Sequence, residues 1–149
     1  MQLIIKIIGF LVGPIIISVG LALTSYAEDK TDLQKNRNAT MKILARSMGQ
    51  LKNSTDISGM KIPAIAIASA TNKLFIMWPN GSGGSSTRAK TEIWSDKSDF
   101  MAKLMDMKNA ADELVSSVDG TDLAAAKSAF IGVGRTCGTC HKLYRGPKL

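Results

Sequence analysis

Three residues near the end of this 149-residue chain have types and a spacing suited to holding a metal cofactor. Cys137, Cys140 and His141 form a Cys-x-x-Cys-His sequence and are the only cysteines and histidine in the chain. Residues three and four apart lie on one face of a helix, so both thiols could form thioether bonds along one porphyrin edge while the imidazole reaches the iron. Cys-x-x-Cys-His is the attachment sequence of a c-type haem. The sequence therefore predicts one covalent haem c per chain, with His141 as the proximal iron ligand.

Three other kinds of site also use a cysteine pair. A thioredoxin-like redox pair follows a strand in a βαβ unit, and no strand pattern precedes Cys137. A structural zinc site needs four ligands, and the chain has no second Cys or His pair. A disulfide suits an exported protein but leaves the adjacent His141 unexplained. The haem prediction accounts for all three residues.

The elements that must position this site are predicted to be four helices. The first three span residues 30–51, 61–77 and 95–118, and the fourth lies between an N-cap at Thr121 or Asp122 and Gly146-Pro147. Loops rich in Gly, Ser, Asn and Asp separate them, and strand-type alternation is absent. Four helices with short connections predict an all-α, antiparallel up-down-up-down four-helix bundle. Apolar spacing is most regular in the fourth helix, at Leu123, Ala126, Phe130, Val133, Cys137, Cys140 and Tyr144.

The first 27 residues have the layout of a secretory signal peptide. Lys6 precedes an apolar run over residues 7–23, and Ser25-Tyr26-Ala27 resembles a small-residue cleavage site. An uncleaved membrane anchor is the alternative, although a spanning helix needs about 20 apolar residues and this run is shorter. We therefore expect export to the periplasm, with residues 28–149 forming the mature bundle domain.

The chain is basic. The net charge is +7, and +6 without the first 27 residues, whose only charged residue is Lys6. A basic protein favours acidic partner surfaces and meets them faster, although a generally solvated basic surface is the alternative. Lys and Arg form no dense run, and the few aromatic residues do not alternate with them. A nucleic-acid partner is therefore not expected.

Beyond the haem motif, the sequence resembles the class II c-type cytochromes, the cytochrome c' family. That family carries Cys-x-x-Cys-His near the C-terminus of a four-helix bundle. The resemblance covers nearly all of the mature chain, and its matching segments are residues 37–41, 78–83, 92–94 and 137–145. Thr91 departs from the pattern, since the family often has proline there.

The resemblance implies roles for residues outside the Cys-x-x-Cys-His motif. Arg37 would face a haem propionate, with Asn38 nearby; a solvated helix charge is the alternative for Arg37. Further haem contacts would come from Thr87, Arg88 and Arg145, the last of these on the proximal side.

Met41 separates two functions within this resemblance. As a ligand at the sixth position of the iron, it would give low-spin iron suited to electron transfer, and its soft thioether would raise the reduction potential. Without that bond the iron would be five-coordinate and open to nitric oxide or carbon monoxide. Core packing alone is a further alternative for Met41, since methionine fills irregular gaps.

We expect a periplasmic electron carrier that meets redox partner proteins. A haem protein that binds a diatomic gas is the alternative, and a structural role with a redox-silent haem is a third. The sequence has no second histidine and no evident acid–base pair for proton delivery, so we expect no enzyme activity. The resemblance also implies a homodimer formed through the first two helices.

Overall fold

Four long helices form the frame of the molecule. The computed structural model describes residues 18–148, with side chains from Lys30 onward. Its helices are α1 (Ser18–Asn53), α2 (Ile57–Leu74), the single turn α3 (Glu92–Ser95), α4 (Lys97–Asp119) and α5 (Leu123–Tyr144). α1 packs on α2, α2 on α4, and α4 on α5. This confirms the predicted all-α, antiparallel four-helix bundle, and residues 18–148 contain no strand beyond an isolated bridge between Ala89 and Arg145.

The start of α1 differs from the prediction. The helix begins at Ser18, upstream of the predicted start at residue 30, because no proline or turn sequence interrupts residues 18–29. The predicted signal peptide, residues 1–27, lies outside the residues whose side chains are described. Within the described residues, no helix combines the length and hydropathy needed to cross a membrane.

The start of α2 also differs from the prediction. The Asp56 carboxylate accepts a 2.8 Å hydrogen bond from the Gly59 backbone N–H and caps the helix. This cap satisfies a backbone donor that would otherwise have no partner, so the helix begins at Ile57, inside a segment predicted to be a loop. Pro63 therefore lies in the second turn of the helix.

The predicted third helix, residues 95–118, corresponds to α4, and the single turn α3 lies directly before it. Asp96 has a non-helical backbone (φ −122°, ψ 60°) that ends α3, and its carboxylate accepts a hydrogen bond from Asp99 N to cap α4. α5 begins as predicted, because the Asp122 carboxylate accepts from the backbone N–H groups of Ala124 and Ala125. It ends at Tyr144, two residues before Gly146.

The core lies along the inner faces of the four long helices. An apolar stripe of α4 with a spacing of three and four residues is buried throughout, and Phe100 at its start packs edge-to-face on Trp78 and Tyr144, with ring centroids 5.0 and 5.1 Å apart. α1 and α5 make few contacts with each other. The bundle is therefore closed on three sides and leaves a space between its first and last helices. The stripe consists of Phe100, Leu104, Met107, Ala111 and Leu114.

Candidate haem site

A cavity of about 360 Å³ lies between α1 and α5. This volume falls in the roughly 300–1,000 Å³ range of small-molecule and cofactor sites. Most of its wall is apolar and comes from all four long helices. The structure brings together here all nine residues predicted from the sequence: Arg37, Asn38, Met41, Thr87, Arg88, Cys137, Cys140, His141 and Arg145. The apolar wall consists of Met41, Leu44, Ala45, Met48, Leu74, Trp78, Ala89, Ile93, Phe100, Leu104 and Met107.

The two cysteines lie half-buried on the cavity face of α5 as free thiols. Burial raises the pKa of Cys140 to about 11, and the neighbouring Cys137 adds to this shift. Burial also raises the pKa of Cys137. Reactive redox cysteines have a lowered pKa, so this environment does not fit a thioredoxin-like pair. Within the described part of the chain, no three Cys, His, Asp or Glu side chains cluster closely enough to hold a zinc ion.

His141 lies half-buried on the same face, one residue after Cys140. Burial lowers the pKa of its imidazole, and the nearby guanidinium groups of Arg145 and Arg88 lower it further. All three effects favour the neutral ring, which is the form that binds a metal. The surroundings of His141 therefore suit the predicted role of an iron ligand.

Backbone pairing holds these two arginines close to His141. Lys90 N donates to Tyr144 O at 3.0 Å, and Gly146 N donates to Arg88 O at 2.7 Å. The Arg88 side chain extends the pairing, since its Nε donates to Pro147 O at 2.8 Å. The loop after α2 is thus fastened to the end of α5. Local sequence does not predict this pairing, because it joins segments more than fifty residues apart.

Arg37 is buried, with 3% of its surface exposed, so it is not a solvated helix charge. Its guanidinium donates to Met77 O (3.1 Å), Ser82 Oγ (3.0 Å) and Ser82 O (2.5 Å), and its Cζ lies 4.6 Å from the centre of the Trp78 ring. These contacts use three of its five N–H groups. None of the described carboxylates forms an ion pair with it. A buried cation without a counter-charge indicates a place for an anion.

Trp78 is a cavity residue to which the sequence analysis assigned no role. It is 7% exposed, and its indole Nε1–H has no hydrogen-bond partner. Buried indole N–H groups usually find an acceptor, so this donor is free for an acceptor on a bound molecule. Trp78 belongs to segment 78–83, which carries part of the family resemblance. A single sequence does not show, however, that its indole N–H lacks a hydrogen-bond partner.

Methionines supply three thioethers to the cavity wall. Met41 and Met48 lie on the cavity face of α1, seven residues or two helical turns apart, and Met107 faces the cavity from α4. Of these three, only Met41 was predicted from the sequence. Sequence spacing could have suggested Met48, since it falls on the same helical stripe.

The properties of this cavity fit a covalently attached haem. A porphyrin is a large apolar ring with two anionic propionates, and the wall is apolar with three arginines and no Asp or Glu. The unpartnered Trp78 Nε1–H adds a donor for a propionate oxygen. Two thiols for the vinyl groups and a neutral imidazole for the iron lie on a single helix face.

Known proteins with similar sequences and structures support the same identification. The chain matches the family model described as Cytochrome C' over residues 32–145. It is 26% identical to cytochrome c-554 of Cereibacter sphaeroides over 138 residues, which are 84% of this chain and 90% of that protein. Cytochrome c prime from Shewanella frigidimarina superposes with a TM-score of 0.75 at 25% identity, covering 79% of this chain and 97% of that one.

A second solved structure is similar to the same extent. It is the nitric oxide complex of a variant of cytochrome c prime from Alcaligenes xylosoxidans, with a TM-score of 0.73 at 25% identity, covering 80% of this chain and 97% of that one. The matched region includes every residue of the cavity wall, from Arg37 to Arg145. This chain therefore belongs to the cytochrome c' family, and its cofactor is covalently attached haem c.

Proposed function

We propose that this protein is a periplasmic electron carrier in which His141 and Met41 would hold the haem iron. The observation that supports this most directly is the position of Met41 on the cavity face of α1, across the cavity from the helix that carries His141. A thioether ligand opposite an imidazole stabilises ferrous iron and raises the reduction potential. When bound, the haem supplies a one-electron ferric/ferrous couple.

The other polar residues of the cavity would hold the haem rather than react with it. Cys137 and Cys140 would form the two thioether bonds. Arg37 and Trp78 would meet a propionate, with the remaining N–H groups of Arg37 and the free Nε1–H of Trp78 as donors. Thr87, Arg88, Asn38 and Arg145 would contact the haem near the cavity opening.

An enzymatic role has little support in this wall. Peroxidase or oxygenase chemistry needs an acid or base that delivers a proton to a bound oxygen species. His141 is the only His, Asp or Glu among the lining residues, and it would be occupied as the proximal ligand. A largely apolar wall with no carboxyl group and no second imidazole suits electron transfer.

A pair of optical spectra tests the proposal. The oxidised protein is expected to show the weak thioether-to-iron charge-transfer band in the far red. The spectrum of the reduced protein is expected to stay unchanged when carbon monoxide is added, because the sixth position is taken. A high-spin oxidised spectrum together with a carbon monoxide adduct would overturn the electron-carrier proposal.

A high-spin oxidised spectrum with a carbon monoxide adduct would support a second candidate function, a haem protein that binds a diatomic gas. The observation in its favour is the apolar distal wall, in which Leu44, Met48, Leu104 and Met107 offer bulk without hydrogen-bond donors. The similar Alcaligenes xylosoxidans structure holds nitric oxide. In this case Met41 would only crowd the sixth position.

The periplasmic location rests on the predicted signal peptide. We propose that cleavage after Ala27 leaves a mature chain that begins at Glu28. The intact mass of the protein from a periplasmic extract, with its haem, tests this. A mass that includes residues 1–27 would show an uncleaved segment instead.

We also propose a homodimer through α1 and α2. α2 exposes Ile62 and Ile65, at 79% and 58%, one helical turn apart on a face turned away from the core. Sedimentation velocity of Ile65→Glu should then show a monomer, whereas Ile131→Glu on α5, an equally large change at a 52% exposed site, should stay dimeric. A monomeric wild-type protein would contradict the proposal.

A further inference from the structure

Positive charge is concentrated on the two helices that flank the haem cavity. The described side chains of α1 include six basic residues and one acidic residue. From the start of α5 to Lys148 there are five basic residues and no acidic residue. α4, in contrast, carries three basic and five acidic residues. The protein is therefore electrically asymmetric, with its positive side at α1 and α5.

The cavity opens on this positive side. Three of its lining residues are exposed, whereas the others are buried or half-buried. The three are Asn38 and Ala45 on α1, and Arg145 directly after α5. An electron that enters or leaves along the shortest route from the cavity to solvent passes between these two helices.

Exposed basic residues lie on the two helices beside the opening, Lys142 three residues before the lining residue Arg145, and we call Lys42, Arg135 and Lys142 the basic rim. Lys42 is four residues after Asn38 and three before Ala45, so it shares their face of α1. Arg135 and Lys142 lie seven residues apart, with the exposed Gly138 between them on one face of α5. Gly138 has open space at its Cβ position, so a partner surface can approach the backbone of the haem-bearing helix closely.

The basic rim is free to bind an external acidic group. The ion pairs among the described residues involve Lys35, Lys90, Lys103 and Lys108, and none involves a rim residue. Lys103 and Lys108 of α4 are thus paired within their own helix, while the rim residues are not. Unpaired like charges around one opening produce a local potential that attracts oppositely charged partners.

We propose that the basic rim is the docking surface for an acidic redox protein, which exchanges electrons through the opening between α1 and α5. This proposal rests on the electron-carrier function proposed above. The uncharged Asn38 and Ala45 lie at the opening, with Arg145 and the basic rim beside them. This arrangement matches the anatomy of transient interfaces, in which the charged border steers and the centre packs. An acidic protein patch is the occupant that this charge pattern complements.

Electron exchange with probes of opposite charge tests the proposal. The ferrous protein is mixed in a stopped-flow instrument with hexacyanoferrate(III), with tris(1,10-phenanthroline)cobalt(III), or with acidic Cu(II) plastocyanin. One electron leaves the protein in each case, without bond making or proton transfer. The variants are Lys42→Glu/Lys142→Glu and the matched control Lys73→Glu/Lys127→Glu, which makes the same charge change at two exposed sites, near the end of α2 and in the first turns of α5.

The rim variant is expected to react roughly tenfold more slowly than wild type with plastocyanin and hexacyanoferrate(III) at low ionic strength, and faster with the cobalt complex. The control variant should change each rate less than about twofold, and high salt should remove the differences. Equal effects of both variants would overturn the proposal, because net charge alone would then explain the rates. A wild-type protein that exchanges electrons with no probe would overturn the electron-carrier function and, with it, the docking surface.

The same variants also test the alternative that the basic rim binds a lipid membrane. If Lys42→Glu/Lys142→Glu abolished binding to phosphatidylglycerol vesicles while leaving all three exchange rates unchanged, the basic rim would be a membrane-binding surface. The docking proposal would then be wrong.

Discussion

The hydroxyl of Tyr144 donates a 2.5 Å hydrogen bond to the carboxylate of Asp99 and joins the last residue of α5 to the first turn of α4. Tyr144 lies one turn after Cys140 and His141, and its ring packs on Phe100 at 5.1 Å between centroids. The hydrogen bond lowers the pKa of Asp99, and burial raises the pKa of Tyr144. The helix that carries the haem ligands is thus fixed to its neighbour directly beside the site.

Tyr144→Phe should lower the urea midpoint of unfolding at pH 7, since the ring stays but the hydrogen bond is lost. The folded-state pKa of Asp99 is lowered, so the stabilisation is present above its unfolded pKa and disappears as the pH falls through the folded value. The difference between wild type and variant should therefore shrink under acid conditions. Urea unfolding at several pH values, followed by far-UV circular dichroism, measures both effects.

Asp106→Asn is the control for the Tyr144 experiment. Asp106 lies on the same helix and contacts Lys103 only at 4.0 Å, at an exposed site. It should change the midpoint little, because exposed ion pairs contribute little to stability. A difference between wild type and Tyr144→Phe that is independent of pH would show that the Asp99 carboxylate is not the relevant acceptor.

Arg37→Met should destabilise the protein by about 2–4 kcal/mol, because the loop after α2 loses three hydrogen bonds and buried carbonyls lose their donor. Arg37→Lys should recover only part of this, since a single ammonium cannot reach Met77 and Ser82 in the same fork geometry. Chemical denaturation of the haem-loaded variants gives the free energies of unfolding. Equal stability of Arg37→Met and wild type would mean that these contacts do not hold the loop.

Trp78→Phe should alter the ionisation of a haem propionate. The ring remains as a partner for Phe100, but the only unpartnered buried side-chain donor among the described residues is removed. Loss of a donor to a carboxylate raises the pKa of that carboxylate. The pH range over which the reduction potential changes should therefore move to higher pH. Potentiometric titration between acid and neutral pH measures it.

Trp94→Phe is the matched control for Trp78. Its Nε1 donates to Pro79 O at 2.8 Å and is already satisfied within the protein. The pH dependence of the potential should therefore stay as in wild type. An unchanged profile in Trp78→Phe would show that the indole donor does not reach a propionate.

Met41→Leu should abolish the far-red thioether band and lower the reduction potential, since the soft axial ligand is lost. Met48→Leu makes the same change two turns further along the same cavity face and should preserve both properties. Optical spectra and potentials of the two variants separate the candidate ligands. Loss of the band in Met48→Leu alone would assign the ligand to Met48, and its persistence in both would exclude α1 as the source.

Local spacing within single helices was enough to predict much of this protein. Cys137, Cys140 and His141 share a face because positions three and four apart always do so on a helix. The buried stripe of α4 and the Asp122 cap of α5 follow from the same short-range rules. The bundle, its covalent haem and the position of the haem motif therefore follow from the sequence. The early start of α2 was missed, since Asp56 had to be recognised as a cap within a loop-like composition.

Relations between distant residues were decided only by tertiary structure. Arg37 and Ser82 are 45 residues apart. Their hydrogen bonds mean that Arg37 stabilises the loop after α2 and also places a positive charge in the cavity wall. The missing partner of the Trp78 Nε1–H and the position of the cavity opening beside Lys42 and Lys142 also depend on how the helices pack. A sequence gives the type and order of donors and charges, but which of them are satisfied or left free depends on the distances that the folded bundle sets.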